Sequence, residues 1–276
     1  MVRATNQPIN YFHSPMLTSP TNPQLTAARK LADRKHRLGE QRFLVEGLRL
    51  IEDGWRSGVC PHQLFYDEAQ VADSAPARRL LAELAAAQVT LLPCSPAAFA
   101  TLSQTVTPQG LAAVMPLPAL PWPAQPTLLL LLDGVRDPGN AGTLLRSAEA
   151  AGVEGVIFGP HSVDPFNEKV VRAGMGVHFR MPLRLCAEEA QLAAALGALP
   201  LYVAEGTAAL AYDQIDWRRP AILAVGNEAE GPSAFVRRCA QPVAIPMAGR
   251  TESLNAAIAG SVILFEAARQ RRGGGG

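Results

Sequence analysis

Five consecutive leucines, Leu128–Leu132, constrain this chain more than any other feature. Strand side chains alternate between two faces, so an unbroken apolar run has to bury both, as in a parallel sheet covered by helices on each side. The pattern continues downstream. Short apolar segments at 155–158, near Phe179, and at 201–204, 221–225 and 243–246 alternate with helix-like stretches at 141–151, 167–174, 188–196 and 254–271. That alternation predicts an α/β domain built on a mostly parallel sheet with helices on both faces.

Upstream of Thr127 the character changes. Prolines at 116, 118, 121, 123 and 126 rule out helix and sheet interior, so 116–126 is expected to be a semi-rigid extended linker. Before it, apolar segments at 43–45, 63–66 and 89–92 alternate with helical stretches through Ile51 and at 77–87, the pattern of a small α/β module over 19–115. Residues 1–18 show no periodicity and read as a flexible tail, and 273–276 as a glycine tail. Two domains agree with a length of 276 residues, about twice a typical single core.

The most basic segment opens the small module. Arg29, Lys30, Arg34, Lys35, His36, Arg37 and Arg42 fall close together, opposed only by Asp33 and Glu40, on an amphipathic stretch marked by Leu25, Leu31 and Leu38. A solvated helix face accounts for such a cluster, and so does a surface for RNA phosphates. The net charge of +1 does not decide between them, because placement of charge matters more than its sum. Cys60, Cys94, Cys186 and Cys239 are far apart and form no CxxC or Cys/His cluster, so they read as reduced small hydrophobes rather than zinc ligands or disulfides. No apolar run approaches the roughly 20 residues that span a bilayer, and MVRATNQPINYFHSP lacks a signal core. The expectation is a soluble cytoplasmic protein with no membrane partner.

Ligands of parallel sheets sit beyond the carboxyl ends of the strands, which directs attention to the segments after Leu132, Val225 and Pro246. The usual nucleotide and hydrolase motifs are missing there. Gly134, Gly139 and Gly142 are spaced G-x4-G-x2-G rather than G-x-G-x-x-G, and neither G-x4-G-K-[ST] nor G-x-S-x-G occurs. The strand ends carry instead DPGNAGTLLRSAEAAG (137–152), AVGNEAEGP (224–232) and IPMAGRTESLNAAIAGSV (245–262). In that order the three segments resemble the motifs of the SpoU, or TrmH-like, branch of the SPOUT methyltransferases, over the whole of 127–272. The upstream module, with NPQLTAARKLADRKHR and FLVEG, resembles the small RNA-binding domain that often precedes this catalytic domain.

The resemblance implies a SPOUT-type parallel sheet with a C-terminal trefoil knot, a rare outcome that composition would not suggest. It also implies a homodimer whose active site lies at the dimer interface. The implied reaction moves a methyl group from S-adenosylmethionine to a ribose 2'-hydroxyl of ribosomal or transfer RNA, without a metal.

Each implied site residue also has a plain structural reading. Asn140 opens a helix, where a capping role explains it as well as a catalytic one. Arg146, amid Leu144, Leu145 and Ala148, reads as a snorkelling surface arginine or, from the resemblance, as the main catalytic residue. Guanidinium keeps its proton in proteins, so the catalytic role would be phosphate clamping and stabilisation of charge on oxygen, with the proton lost to solvent, phosphate or Glu228. Glu228 matches the second-motif glutamate, Glu230 is its acidic neighbour, and Gly226 and Gly231 admit close approach of a ligand. The resemblance places the adenine against Ile245, Met247 and Leu254, with Gly226 and Ala204 as further cofactor contacts.

The resemblance implies that Ser253 and Asn255 hydrogen-bond to the substrate or to Asn140 and Arg146, although Ser253 also reads as a helix cap, with Glu252 favourable beside it. RNA contacts are expected at Arg29, Lys30, Arg34, Lys35 and Arg37, and at Arg172 within VVRAGMGVHFRMP (170–182). That stretch has Gly174 and Val177 where the family commonly has Ser and Ala, so any substrate contact through the serine is lost. Position 227 carries Asn where a small hydroxyl residue is frequent. The leading expectation is a ribosomal RNA 2'-O-methyltransferase. The alternatives are a transfer RNA methyltransferase, or a catalytically idle RNA-binding or ribosome-assembly protein with the same fold.

Overall fold

The structure, a computed structural model, describes residues 15–103, 105, 108–251 and 253–273. Most of the expected N-terminal tail, Glu252 and the last three glycines lie outside the described residues. The chain divides into two compact units, one ending at Leu117 and the other beginning at Pro118.

The first unit contains strands β1 (Arg42–Glu46), β2 (Gln63–Asp67), β3 (Thr90–Cys94) and β4 (Leu111–Pro116). Its helices are α1 (Pro23–Lys30), α2 (Arg34–Glu40), α3 (Leu48–Arg56), α4 (Glu68–Ala72), α5 (Ala75–Ala86) and α6 (Pro96–Phe99). The sheet order is β1-β4-β2-β3, with β4 antiparallel to both neighbours and β2 parallel to β3. The basic stretch is two helices rather than one. Asp33 breaks it by capping α2, its Oδ1 accepting from the Lys35 N–H at 2.6 Å. Leu38 is consequently 48% exposed and not part of the apolar face. Leu17, expected in a flexible tail, is buried and bridged to the edge of β3, its N–H donating to Pro93 O at 2.7 Å. An apolar side chain beside an open strand edge gains burial and backbone pairing together.

The second unit holds six parallel strands: β5 (Leu128–Asp133), β6 (Gly155–Phe158), β7 (Leu183–Leu185), β8 (Leu201–Ala204), β9 (Ala221–Gly226) and β10 (Gln241–Val243), in the order β10-β8-β9-β5-β6-β7. Helices α7 (Pro138–Ala151), α8 (Glu168–Gly174), α9 (Glu189–Leu196), α10 (Ala234–Cys239) and α11 (Ala256–Gly273) cover it. The leucine run divides by parity. Leu128, Leu130 and Leu132 join one core with side chains of α7, α8 and α11, whereas Leu129 and Leu131 join Leu192, Leu196 and Val236 on the opposite face. Burying each is worth about 1.5–3 kcal/mol, so this strand anchors both layers.

Three boundaries depart from expectation. Val177, His178 and Phe179 are buried in succession, which a 3-10 turn allows and an alternating strand does not, and the strand comes later as β7. The last strand stops at Val243 because Ala244 turns to pair with Leu210 and Tyr212, and Pro246 has no N–H with which to continue a ladder. The last helix starts at Ala256, after both Ser253 and Leu254. The proline stretch is also less free than a spacer. Trp122 packs under the Arg184 guanidinium at 4.1 Å and lies so close to Gly155 that a Cβ there would meet its ring at 2.9 Å. No helix among the described residues is long and apolar enough to cross a membrane.

Candidate active site

After β7 the chain crosses to the other half of the sheet, and a cavity of about 430 Å³ opens beyond the carboxyl ends of β8, β9 and β10. Such a crevice is where parallel sheets bind ligands. Ala204 leaves β8, Gly226 ends β9, and Ile245 and Met247 follow β10 along its wall; Ser253, Leu254 and Asn255 line it before α11.

Asp137 caps α7 by accepting from the Asn140 N–H at 2.7 Å, so Asn140 is not the cap but stands one turn inside with its side chain free. That side chain joins all three segments. Its Nδ2 donates to Glu228 Oε1 at 2.6 Å, and its Oδ1 accepts from Asn255 Nδ2 at 3.0 Å. Asn255 Oδ1 in turn accepts from the Ala257 and Ile258 N–H groups, which makes Asn255 the cap of α11 and displaces Ser253 from that role. The amide of Asn140 is thereby fixed in orientation from both ends, and one oxygen of Glu228 is held at the cavity wall.

The second-motif loop is closed on itself. Asn227 and Gly231 exchange both backbone hydrogen bonds, at 3.1 and 2.9 Å. Asn227, the departure noted at this position, accepts from the Ala229 and Glu230 N–H groups and donates to Gly134 O at 2.9 Å, tying the second loop to the first. Gly226 lines the cavity as expected and meets a second need as well. A Cβ there would lie 2.6 Å from Pro232 N, so its lack of a side chain admits the chain's own loop. Glu230 takes a different partner from Glu228 and forms a two-pronged pair with Arg136 at 3.0 and 3.1 Å. Asp133 accepts from the Ser233 N–H at 2.6 Å, and burial pushes its carboxyl up despite that bond. Arg136, Asp133 and the cavity-lining Glu205 leave no signal in the sequence, whereas Asn227 leaves one as an unusual residue in a glycine-flanked loop.

Arg146 is exposed on α7, does not line the cavity, and is hydrogen-bonded to no other described residue. It lies about 120° around the helix from Asn140 and about 9 Å along it. Arg172 is half-buried in the last turn of α8, also outside the cavity. Gly174 is explained by His178. A Cβ at 174 would come 2.9 Å from the His178 ring, which is wholly buried and bonded through Nε2 to Pro165 O at 2.7 Å, and burial pushes this imidazole down to about 4.

Of the basic residues in the first unit, Arg37 is a correction. It is 4% exposed and donates to Leu31 O and Ala32 O at 2.7 and 2.6 Å, so its charge braces the turn between α1 and α2 instead of meeting RNA. Arg29 is half-buried and donates to Pro20 O and Thr26 Oγ1. Lys30, Arg34 and Lys35 are exposed.

Residues 127–265 match the model of the SpoU rRNA Methylase family, and residues 22–113 match that of the MRM3-like substrate binding domain. The chain is 31% identical to the 23S rRNA (guanosine(2553)-2'-O)-methyltransferase RlmP of Bacillus subtilis, over 90% of this chain and 97% of that protein. It is 34% identical to the 23S rRNA (uridine(2479)-2'-O)-methyltransferase of Streptomyces viridochromogenes, over 88% of each. The crystal structure of the SpoU methyltransferase AviRb from Streptomyces viridochromogenes in complex with AdoMet superposes with a TM-score of 0.82 at 31% identity, covering 92% of this chain and 99% of that one. Fold, motif order and these likenesses together place the chain in the SpoU family of rRNA methylases.

Proposed function

We propose that this protein transfers a methyl group from S-adenosylmethionine to a ribose 2'-hydroxyl of ribosomal RNA, in the cytoplasm. The observation that carries the reading is the chain Glu228–Asn140–Asn255, which draws three distant segments together at the rim of one cavity. The cavity suits the donor. Its volume is that of a small-ligand site, and its described lining combines apolar walls with Glu205 and Glu228 and includes no basic side chain. Two carboxylates with no cation favour a positively charged ligand such as a sulfonium.

When bound, S-adenosylmethionine supplies an electrophilic methyl group: the O–C bond forms as the C–S bond breaks, and sulfur keeps the electron pair. The residues of the chain do the rest. Glu228 Oε1 is held by Asn140, which leaves Oε2 to accept the hydroxyl proton. Arg146 keeps its own proton and serves as a cationic fork for the flanking phosphate and for charge on the attacking oxygen. Arg146 does not line the cavity of its own chain, which supports a homodimer in which Arg146 serves a second copy. The apolar side chains Ile258 and Phe265, 52% and 45% exposed on α11, suit burial between two copies. The knotted threading and metal-free chemistry implied by the resemblance belong to the same reading.

The rRNA substrate is supported by the named activities of the relatives. Calorimetry with S-adenosylmethionine, followed by methyl transfer to rRNA from cells lacking the gene, tests it. Saturable donor binding and a methyl group mapped to one ribose are expected. Absence of donor binding, or RNA binding without transfer, would leave the idle RNA-binding protein as the reading.

A further inference from the structure

A second cavity, of about 620 Å³, lies in the first unit between α1, α2 and the face of the sheet they cover. Its floor is apolar, from Leu31 and Val114. Its walls carry Lys30, His36, Arg42 and Gln63. Register explains why the sheet residues converge. Gln63 pairs with Val114, Val114 pairs with Leu44, and Arg42 stands two positions from Leu44, so all four project to one face.

These polar groups differ from their neighbours in having nothing to hold. Arg29 and Arg37 are occupied by carbonyl oxygens of the protein. The side chains of Lys30, His36, Arg42 and Gln63 make no hydrogen bond to another described residue. Glu40 is the one acidic group among the described residues of the wall. Cations beside an apolar floor, with a free amide on the sheet, match the parts of a single nucleotide: a phosphate, a planar base and its hydrogen-bonding edge. The planes of His36 and Arg42 are the kind on which splayed-out RNA bases stack.

We propose that this cavity receives one unpaired nucleotide of the RNA substrate, its phosphate on Lys30 and Arg42 and its base on the Leu31–Val114 floor within reach of Gln63. The proposal rests on the reading of the protein as an RNA methyltransferase and adds to it a preference for RNA with a bulged or looped-out residue. Phosphate contacts outside the cavity, at Arg34 and Lys35, would bind paired and unpaired RNA alike.

Fluorescence anisotropy with two RNA hairpins of the same stem, one fully paired and one with a single-nucleotide bulge, tests this on the full chain. The bulged hairpin is expected to bind about tenfold more tightly, the scale of one stacked base. The double variant Lys30→Gln/Arg42→Gln should abolish that preference and reduce the salt slope by about 0.7–0.9 per lost phosphate contact. Lys35→Gln should weaken both hairpins equally. Lys30→Arg should restore the wild-type slope, which a merely structural role would not predict. Equal binding of the two hairpins by the wild type, or a preference that survives the double variant, overturns the proposal. Displacement of the bulged hairpin by equimolar ribonucleoside monophosphates would assign the cavity to free nucleotides and overturn it as well. Donor binding and methyl transfer in the same samples report separately on the enzymatic reading, which stands if only the hairpin preference fails.

Discussion

At the rim of the second unit's cavity three polar side chains form a bonded chain, Glu228 to Asn140, Asn140 to Asn255, and Asn255 to the first turn of α11, while Glu205 and Ser253 in the same lining stand outside it. At the cavity of the first unit the side chains of Lys30, His36, Arg42 and Gln63 make no hydrogen bond to another described residue. The difference is one of preorganisation. A reaction that needs a carboxylate at one point benefits when each orienting group is fixed before substrate arrives. A surface that receives a flexible polymer benefits from donors that can still move to meet it, and takes up their ordering cost on binding.

The largest effect expected from breaking this contrast lies at Arg146. If the fork geometry matters, Arg146→Lys keeps the charge and loses the two-pronged contact, and turnover should fall about 10²–10³-fold. Transfer of labelled methyl under saturating donor measures it, and activity within threefold of wild type would end the assignment. Next comes a stability effect in the same unit. The His178 imidazole titrates from 6.5 in an unfolded chain and from about 4 in the fold. Between those values the unfolded state binds the additional proton, so this contribution is complete above pH 6.5 and is lost as pH falls toward 4, by about 3 kcal/mol. Urea midpoints at pH 7 and 4.5 should converge in His178→Phe relative to wild type; an unchanged gap would remove His178 as the cause. Third, Asn140→Ala and Asn255→Ala should each slow transfer about tenfold, and the double variant little further, because both act through Glu228. Additive losses would mean that the two amides act independently.

The sheet and its three loops were legible in sequence for a physical reason. Leu128–Leu132 and the strands at 155–158 and 221–225 bury both faces, and continuous apolar runs advertise that. Strand β4 leaves little trace in sequence, although it is one of the two inner strands of its sheet, because LAAVMP has few strong strand formers and ends in Pro116, which pairs with Arg42 and belongs to the strand rather than to the linker expected from 116. The site residues were legible as identities and not as roles. Asn140 was as good a cap as a ligand until Asp137 proved to hold the capping position. Arg37 looked like its basic neighbours because composition does not reveal which arginine faces backbone carbonyls. Glu205 serves through where the loops fold, of which local sequence carries no trace, and Asn227 stands out in sequence as unusual without its bond to Gly134 O being legible.

The smallest effect expected is at the Arg136–Glu230 ion pair, which joins the first two loops. Arg136 and Glu230 meet in ideal two-pronged geometry, yet their side chains are 57% and 64% exposed, so solvent screens the attraction and the pair contributes less than about 1 kcal/mol. Arg136→Gln should therefore alter donor affinity less than about fivefold, and 1 M salt should produce a similar change in the wild type and none in the variant. The inner connection between the same loops, Asn227 Nδ2 to Gly134 O, is uncharged and partly buried, so salt should leave it intact. A loss at Arg136→Gln as large as that at Asn140→Ala would show that the charged latch, and not the amide chain, sets the position of the second loop. The preorganisation ascribed to Asn140 would then belong at the rim.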